Sequence, residues 1–316
     1  MREPVYSKIE DSARPTLFAA NGFILLAAVG LWASALIDLA LPLKSSLVLA
    51  NALYYLPFVA LPIALYARKR PGLSDAMRLN PLPVLPTLSV ALLALISVYA
   101  ASALAALWEI PLEALGLRST VSIALPQTRR ELAISIVGMA ALPAVCEELL
   151  FRGFALSAWE SRGTWFAAGV TSALFALLHG NLFGLPAYLL VGAISAFVTF
   201  ALNSLYAGIV YHTIYNAACL TLPYLLIREN AAEPVPLDGA QLLMLIVETA
   251  AMFALMAMLL ATLRMRAKLN GIEPVPRIYR PVERRDRVML WTAVAVMLAS
   301  AIILIALSGA ATGGGA

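Results

Sequence analysis

The chain has 316 residues, of which 62% are hydrophobic and only 13% charged, with a mean hydropathy of +0.87. Soluble globular domains carry roughly 25% charged residues, so too little polar surface is left here to coat a water-soluble body, and an integral membrane protein is the class that remains. The formal net charge of +4 comes mostly from short connecting segments. No helix-turn-helix, zinc-finger or Gly-rich phosphate pattern accompanies it, so the charge reports membrane orientation and nucleic acid is not an expected partner.

The N-terminal MREPVYSKIEDSARP mixes acids and bases ahead of an apolar run too long for a signal-peptide core. It reads as a short cytoplasmic lead into a retained first span. A helix needs about 20 apolar residues to cross the hydrocarbon core, and nine stretches read as spans: 16–43, 46–67, 82–107, 132–158, 164–183, 185–202, 205–227, 241–262 and 288–308. The runs are continuous rather than alternating, which favours helices over a β-barrel. The expected fold is all-α, a polytopic transmembrane helix bundle with about eight or nine spans, packed as a single membrane domain over 1–316 with no internal repeat.

Polar breaks divide the spans. Arg68-Lys69-Arg70-Pro71-Gly72 closes the second, Glu131 marks the edge before the fourth, Glu160-Ser161-Arg162-Gly163 closes it, and Glu233-Pro234-Val235-Pro236 precedes the eighth. Residues 108–130 read as an interfacial helix ahead of Pro126. Residues 263–287, with eight Lys or Arg, read as a basic cytoplasmic loop, and the final ATGGGA as a flexible tail. Lys and Arg are more than three times as frequent in segments on the N-terminal side of the membrane as on the other. The N-terminus is therefore expected in the cytoplasm, with the C-terminus outside if all nine spans are real; in a prokaryote the membrane would be the plasma membrane.

Both cysteines, Cys146 and Cys219, lie in apolar stretches, and a disulfide framework is not expected. Cys146 precedes Glu147, but a thiol in lipid-like surroundings is a poor nucleophile and reads as a small apolar filler. The other polar residues inside the spans carry more information. Glu147, Glu148 and Arg152 fall in the fourth, His179 in the fifth with Asn181 after it, His212 and Asn216 in the seventh, and Glu248 in the eighth; Asn203 follows the sixth. A charge at the bilayer centre costs about 3 kcal/mol on insertion scales, so each needs a reason. Glu148 and Arg152 are four residues apart and can pair on one face. Glu147 points about 100° away from that face and has no evident local partner. His212 and Asn216 share a face, as do Phe175 and His179. Glu248 and Asn203 read as structural or loop-edge residues.

Bundle helices bury polar faces against one another, and the simplest packing puts Glu147, His179, His212 and Asn216 around one water-accessible cavity. A carboxylate and an imidazole can activate a water, while a second imidazole and an amide can donate to an oxyanion. The same carboxylate and two imidazoles, Glu147, His179 and His212, are also the ligand set of a hydrolytic zinc site. The metal-free scheme is slightly favoured, because His212 and Asn216 can donate jointly and no HExxH pattern is present. A zinc cofactor therefore stays open. Both schemes point to hydrolysis of an acyl bond within the membrane.

Glu147-Glu148-Leu-Leu-Phe-Arg152 resembles the EExxxR motif of the type II CAAX prenyl endopeptidases, also called the CPBP or Abi intramembrane protease family. Phe175-Ala-Leu-Leu-His179 resembles that family's FxxxH motif, and His212-Thr-Ile-Tyr-Asn216 its HxxxN motif. The three occur in the family's order over residues 131–227. The resemblance implies a CAAX-type intramembrane endopeptidase in which Glu147 and His179 activate water, His212 and Asn216 stabilise the oxyanion, and Glu148 and Arg152 hold the geometry with Phe175 in support. It implies membrane lipid as surroundings and, as substrate, a peptide or a protein C-terminus that is prenylated in some relatives. Family members have also been described as metalloproteases. The competing readings are a proton-coupled transporter using the same residues as a relay, which the lack of an inverted repeat disfavours, and a non-catalytic immunity or scaffold protein, which the intact motif set disfavours.

Overall fold

The computed structural model describes residues 14–40, 47–117, 125–226, 238–275 and 282–313, and all regular structure among these residues is helical. The expected N-terminal lead up to residue 13, the connection at 227–237 with its Glu-Pro-Val-Pro stretch, and the last three residues of the tail lie outside the described residues. In chain order the helices are α1 (Leu17–Ala40), α2 (Leu47–Tyr55), α3 (Leu61–Ala67), α4 (Leu73–Ala76), α5 (Val84–Ala114), α6 (Arg129–Ser135), α7 (Leu142–Glu148), α8 (Leu156–Trp159), α9 (Thr164–Leu178), α10 (Leu185–Ala201), α11 (Leu205–Leu226), α12 (Gly239–Leu269) and α13 (Arg284–Gly313).

Several of these run together into longer rods. α6, α7 and α8 join through two π segments, Ile136–Ala141 and Leu149–Ala155, into one rod, Arg129–Arg162. α2 joins α3 through the π segment Leu56–Ala60. Proline explains part of this: Pro143 and Pro57 have no N–H for the regular helical bond and crowd the carbonyl four residues back, and a widened turn lies at or just before each.

Six helical segments are long and apolar enough to cross a membrane: Leu17–Ser34, Val48–Ala67, Val84–Ala114, Arg129–Arg162, Gly239–Leu269 and Arg284–Ile303. Two shorter apolar helices, α9 and α10, accompany them, and α11 is 22 residues long with His212 and Asn216 in its middle. Each expected span thus coincides with a helix. The chain is an integral all-α membrane protein. α9 rises about 22 Å over its 15 residues, short of a hydrocarbon core about 30 Å thick. It ends at His179, which places that imidazole within the bilayer's depth.

The rod Arg129–Arg162 is the centre of the bundle: 56% of its apolar window is buried, against 11% for α12 and 17% for α13. α1, α2, α9, α10 and α11 pack around it, α5 backs α10, α11 and α12, and α13 lies along α1. Phe154 in the rod stacks on Phe23 with ring centres 4.9 Å apart and meets the edge of Tyr66 at 5.0 Å.

Two boundaries differ from expectation. Residues 108–114 continue α5 instead of forming an interfacial helix, and the helix stops where Gly116 takes a φ of 78°; residues 118–124 lie outside the described residues. The basic stretch 263–287 is largely helical at both ends, because α12 runs to Leu269 and α13 begins at Arg284. Its Arg, Lys, Met, Leu and Ala are strong helix formers and carry α12 onward past its last apolar turn. Residues 276–281 of this stretch lie outside the described residues.

At one end of the rod the bundle buries a charged cluster. Glu160 accepts from Arg14 at 3.0 Å, Arg78 at 2.6 Å and Thr164 at 3.0 Å. Thr164 in turn exchanges hydrogen bonds with the backbone of Val275, at 3.1 Å and 2.9 Å. Beside it, Asn21 accepts from the Trp159 indole and donates to the carbonyl of Asp286.

Candidate active site

The EExxxR segment lies where α7 passes into the π segment Leu149–Ala155. π turns inserted in helices are frequent at functional sites, and here one lies on each side of α7. Glu147, Glu148 and Arg152 are all buried. Glu148 and Arg152 pair as their spacing predicts, with Nη1 3.2 Å from Oε1. Arg152 also donates from Nη2 to the carbonyl of Gly192 at 2.8 Å and lies over the Phe175 ring at 4.5 Å.

Glu148 is saturated. Besides Arg152, its Oε1 meets His212 Nδ1 at 2.9 Å, and its Oε2 accepts from Ser195 Oγ at 2.5 Å. An ionised carboxylate only accepts, so His212 Nδ1 is the donor, and Nε2 is left to face Glu147 Oε2 at 3.8 Å. That gap is too long for a direct hydrogen bond. The remaining oxygen of Glu147, Oε1, accepts the hydroxyl of Tyr55 on α2.

His179 is fixed from three sides. Its Nδ1 lies 2.8 Å from the carbonyl of Phe175, its ring stacks on Tyr188 at 4.0 Å, and the Phe175 ring meets it edge-on at 4.7 Å. Asn181 accepts from the backbone N–H groups of Phe183 and Gly184, which turns the chain into α10 and brings Tyr188 back over the imidazole. Phe175 also touches His212, with ring centres 5.6 Å apart. One buried aromatic ring therefore spaces Arg152, His179 and His212.

The structure gathers Glu147, Glu148, Arg152, Phe175, His179 and His212 into one cluster between the rod, α9, α10 and α11. Glu147 contacts His212; His179 makes no ion-pair contact with Glu147, although it is close enough for that carboxylate to act on it electrostatically. Asn216 stands one turn beyond His212 on the same helix, half-buried and without a hydrogen bond among the described residues. Cys146 is buried in the apolar core with no polar partner. Glu248 receives the Tyr99 hydroxyl between α12 and α5 and takes no part in the cluster.

Sequence reasoning missed Tyr55, Tyr188, Ser195, Gly192 and Gly208. Gly208 carried a signal, since it precedes His212 by four residues and shares its face. A Cβ there would lie 2.6 Å from Thr199 Oγ1, 2.8 Å from Glu148 Oε2 and 3.0 Å from Ser195 Oγ, so only glycine lets α11 come close enough for His212 to reach Glu148. Gly208→Ala is expected to lower the thermal midpoint in detergent, since overpacking costs about 1–3 kcal/mol. An unchanged midpoint would show that α11 stands farther from Glu148.

Residues 129–218 match the family model described as Rce1-like, type II CAAX prenyl endopeptidase. This segment is an Rce1-like domain. It starts with the first residue of α6 and ends two residues after Asn216, so the Rce1-like domain contains all three motifs together with Tyr188, Ser195 and Gly208. Tyr55 lies outside it. No curated protein and no solved structure matches the chain.

Glu147, His179 and His212 are the residues that would hold a zinc ion. Both imidazoles have Nδ1 engaged by an oxygen, as metal-bound histidines commonly do. Among the described residues, however, no three His, Cys, Asp or Glu side chains stand together as a metal-holding group, and His179 is held against Tyr188, apart from the Glu147–His212 pair. The arrangement as it stands does not fit a three-ligand ion.

Proposed function

We propose that this protein is an intramembrane endopeptidase of the CAAX-processing type, which hydrolyses a peptide bond with water activated by Glu147. The observation that carries the reading is the pair Glu147 Oε2 and His212 Nε2, 3.8 Å apart inside an Rce1-like domain, with His212 braced from behind by Glu148. Attack on a peptide carbonyl needs an acceptor for the water's proton and a donor for the carbonyl oxygen, side by side. Glu147 takes the proton as the water oxygen bonds to the carbonyl carbon. His212 and Asn216 donate to the oxyanion that forms, and His179 supports the water. Collapse of the tetrahedral intermediate breaks the C–N bond, and the proton held by Glu147 passes to the departing amine.

The substrate is a peptide segment or protein C-terminus reaching the site from the membrane, and the N-terminal end of this protein faces the cytoplasm, as the Lys/Arg bias argues. The test is turnover of fluorogenic peptides, prenylated and unprenylated, by the purified full-length protein, with Glu147→Ala as control. Cleavage by the wild type alone is expected. If no peptide is cut while substrate addition drives proton flux in proteoliposomes, the protein is a carrier instead.

Activation by Glu147 without a metal ion has its own check. Activity is expected to survive a strong chelator, with no stoichiometric metal in the active preparation. Loss on chelation and recovery with one equivalent of zinc would refute it.

A further inference from the structure

Two adjacent carboxylates in this site have opposite surroundings. Glu148 has partners on both oxygens: a guanidinium, an imidazole and a hydroxyl. Glu147 has one hydrogen-bond donor among the described residues, the hydroxyl of Tyr55 on Oε1, which leaves Oε2 alone toward His212. Neighbouring carboxylates given different partners take different roles.

Tyr55 is built in. It is the last residue of α2, at the entry to the π segment Leu56–Ala60, and only 8% exposed. Its ring lies 4.6 Å from that of Tyr54, whose hydroxyl donates to the carbonyl of Ala27 on α1 at 3.2 Å. One turn earlier, Asn51 donates to the carbonyl of Gly138 in the rod at 2.8 Å. α2 is thus tied to the rod at two points, and one of them is the carboxylate proposed to carry the chemistry.

We infer that Tyr55 is a positioning residue for Glu147: its hydroxyl holds Oε1 and sets the carboxylate plane so that Oε2 is the oxygen that meets the substrate water. The terminal torsion of a glutamate is broad and nearly two-fold, so an unheld carboxylate would spread over orientations, and small misplacements of a reacting group are costly. A phenol suits the task because it donates one hydrogen bond without supplying a counter-charge. The inference rests on the hydrolytic reading for its consequence, but its geometry can be tested separately. It also places a determinant of the site outside the Rce1-like domain, on a helix 92 residues upstream of Glu147.

The experiment uses the full-length protein in detergent as wild type, Glu147→Gln, Tyr55→Phe and Asn51→Ala. The infrared difference between wild type and Glu147→Gln isolates the bands of the Glu147 carboxylate. Those bands are expected to move in Tyr55→Phe and to stay in place in Asn51→Ala. On a peptide that the wild type cleaves, Tyr55→Phe is expected to lower kcat by roughly 10–100-fold with KM and thermal midpoint unchanged. Asn51→Ala should do the reverse, lowering the midpoint and sparing kcat. Unmoved Glu147 bands in Tyr55→Phe, or a lowered midpoint with kcat retained, would overturn the inference and make Tyr55 a packing residue. If the wild type cleaves no peptide, the hydrolytic reading fails, and the infrared comparison still decides whether Tyr55 holds Glu147.

Discussion

Glu147→Gln should reduce peptide hydrolysis by a factor of about 10²–10⁴, the range that a positioned general base supplies, and leave thermal unfolding unchanged. The amide keeps the size of the side chain, and its oxygen can still accept the Tyr55 hydroxyl. What disappears is the acceptor for the water's proton beside His212. Glu148→Gln should behave differently. Its oxygens face Arg152, His212 and Ser195, so the amide places a donor among donors, and stability falls along with activity. Comparing the two variants by kcat and by thermal midpoint separates a reacting group from a structural one. A Glu147→Gln enzyme with wild-type turnover would remove Glu147 from the chemistry.

Arg152→Ala carries the largest expected cost in stability. Removing one member of a buried ion pair leaves the other uncompensated, at about 3–5 kcal/mol, a large share of the 5–15 kcal/mol that typically holds a protein folded. The folded yield in detergent should drop and the thermal midpoint with it. Arg152→Lys is not expected to rescue. The guanidinium reaches Glu148 through Nη1 and Gly192 through Nη2 while its face covers Phe175, and a lysine offers a point charge with neither the fork nor the plane. A wild-type midpoint in Arg152→Ala with activity abolished would reassign Arg152 from structure to chemistry.

What could be read in advance divides along a physical line. Composition and long apolar runs sufficed for an all-α membrane bundle, because lipid admits few other backbones. Pairs four residues apart were also legible, since a helix brings them together whatever surrounds it: Glu148 with Arg152, and Phe175 with His179. Partners on distant helices were not. Glu147 has no local partner, and its donor is one of 11 tyrosines scattered through similar apolar sequence. Choosing Tyr55 requires the depth and rotation of α2 against the rod, which depend on the packing of small residues and on π turns that shift every later side chain around the axis. Glu148 was read through its neighbour Arg152 alone, and its bonds to His212 and Ser195 depend in the same way on the close approach allowed by Gly208. The helix ends moved for a simpler reason, because helix propensity in Arg- and Lys-rich turns outlasts hydropathy.

The charged cluster at the end of the rod also constrains how the chain is threaded. Each of its bonds closes a ring of polypeptide, and a ring whose two ends meet at one depth must pass through the bilayer an even number of times. Arg14 and Arg78 both hold Glu160, so the excursion made by α1 to α3 returns to its own face, as does the one made by α5 and the rod. Asn80 donates to the carbonyl of Asn203, which makes α9 and α10 return together despite their shortness. Thr164 bonded to Val275 does the same for α11 with α12. Insertion is thereby proofread by parity: a helix that failed to enter, or entered backwards, would leave two arginines and a glutamate on opposite faces with no route to each other.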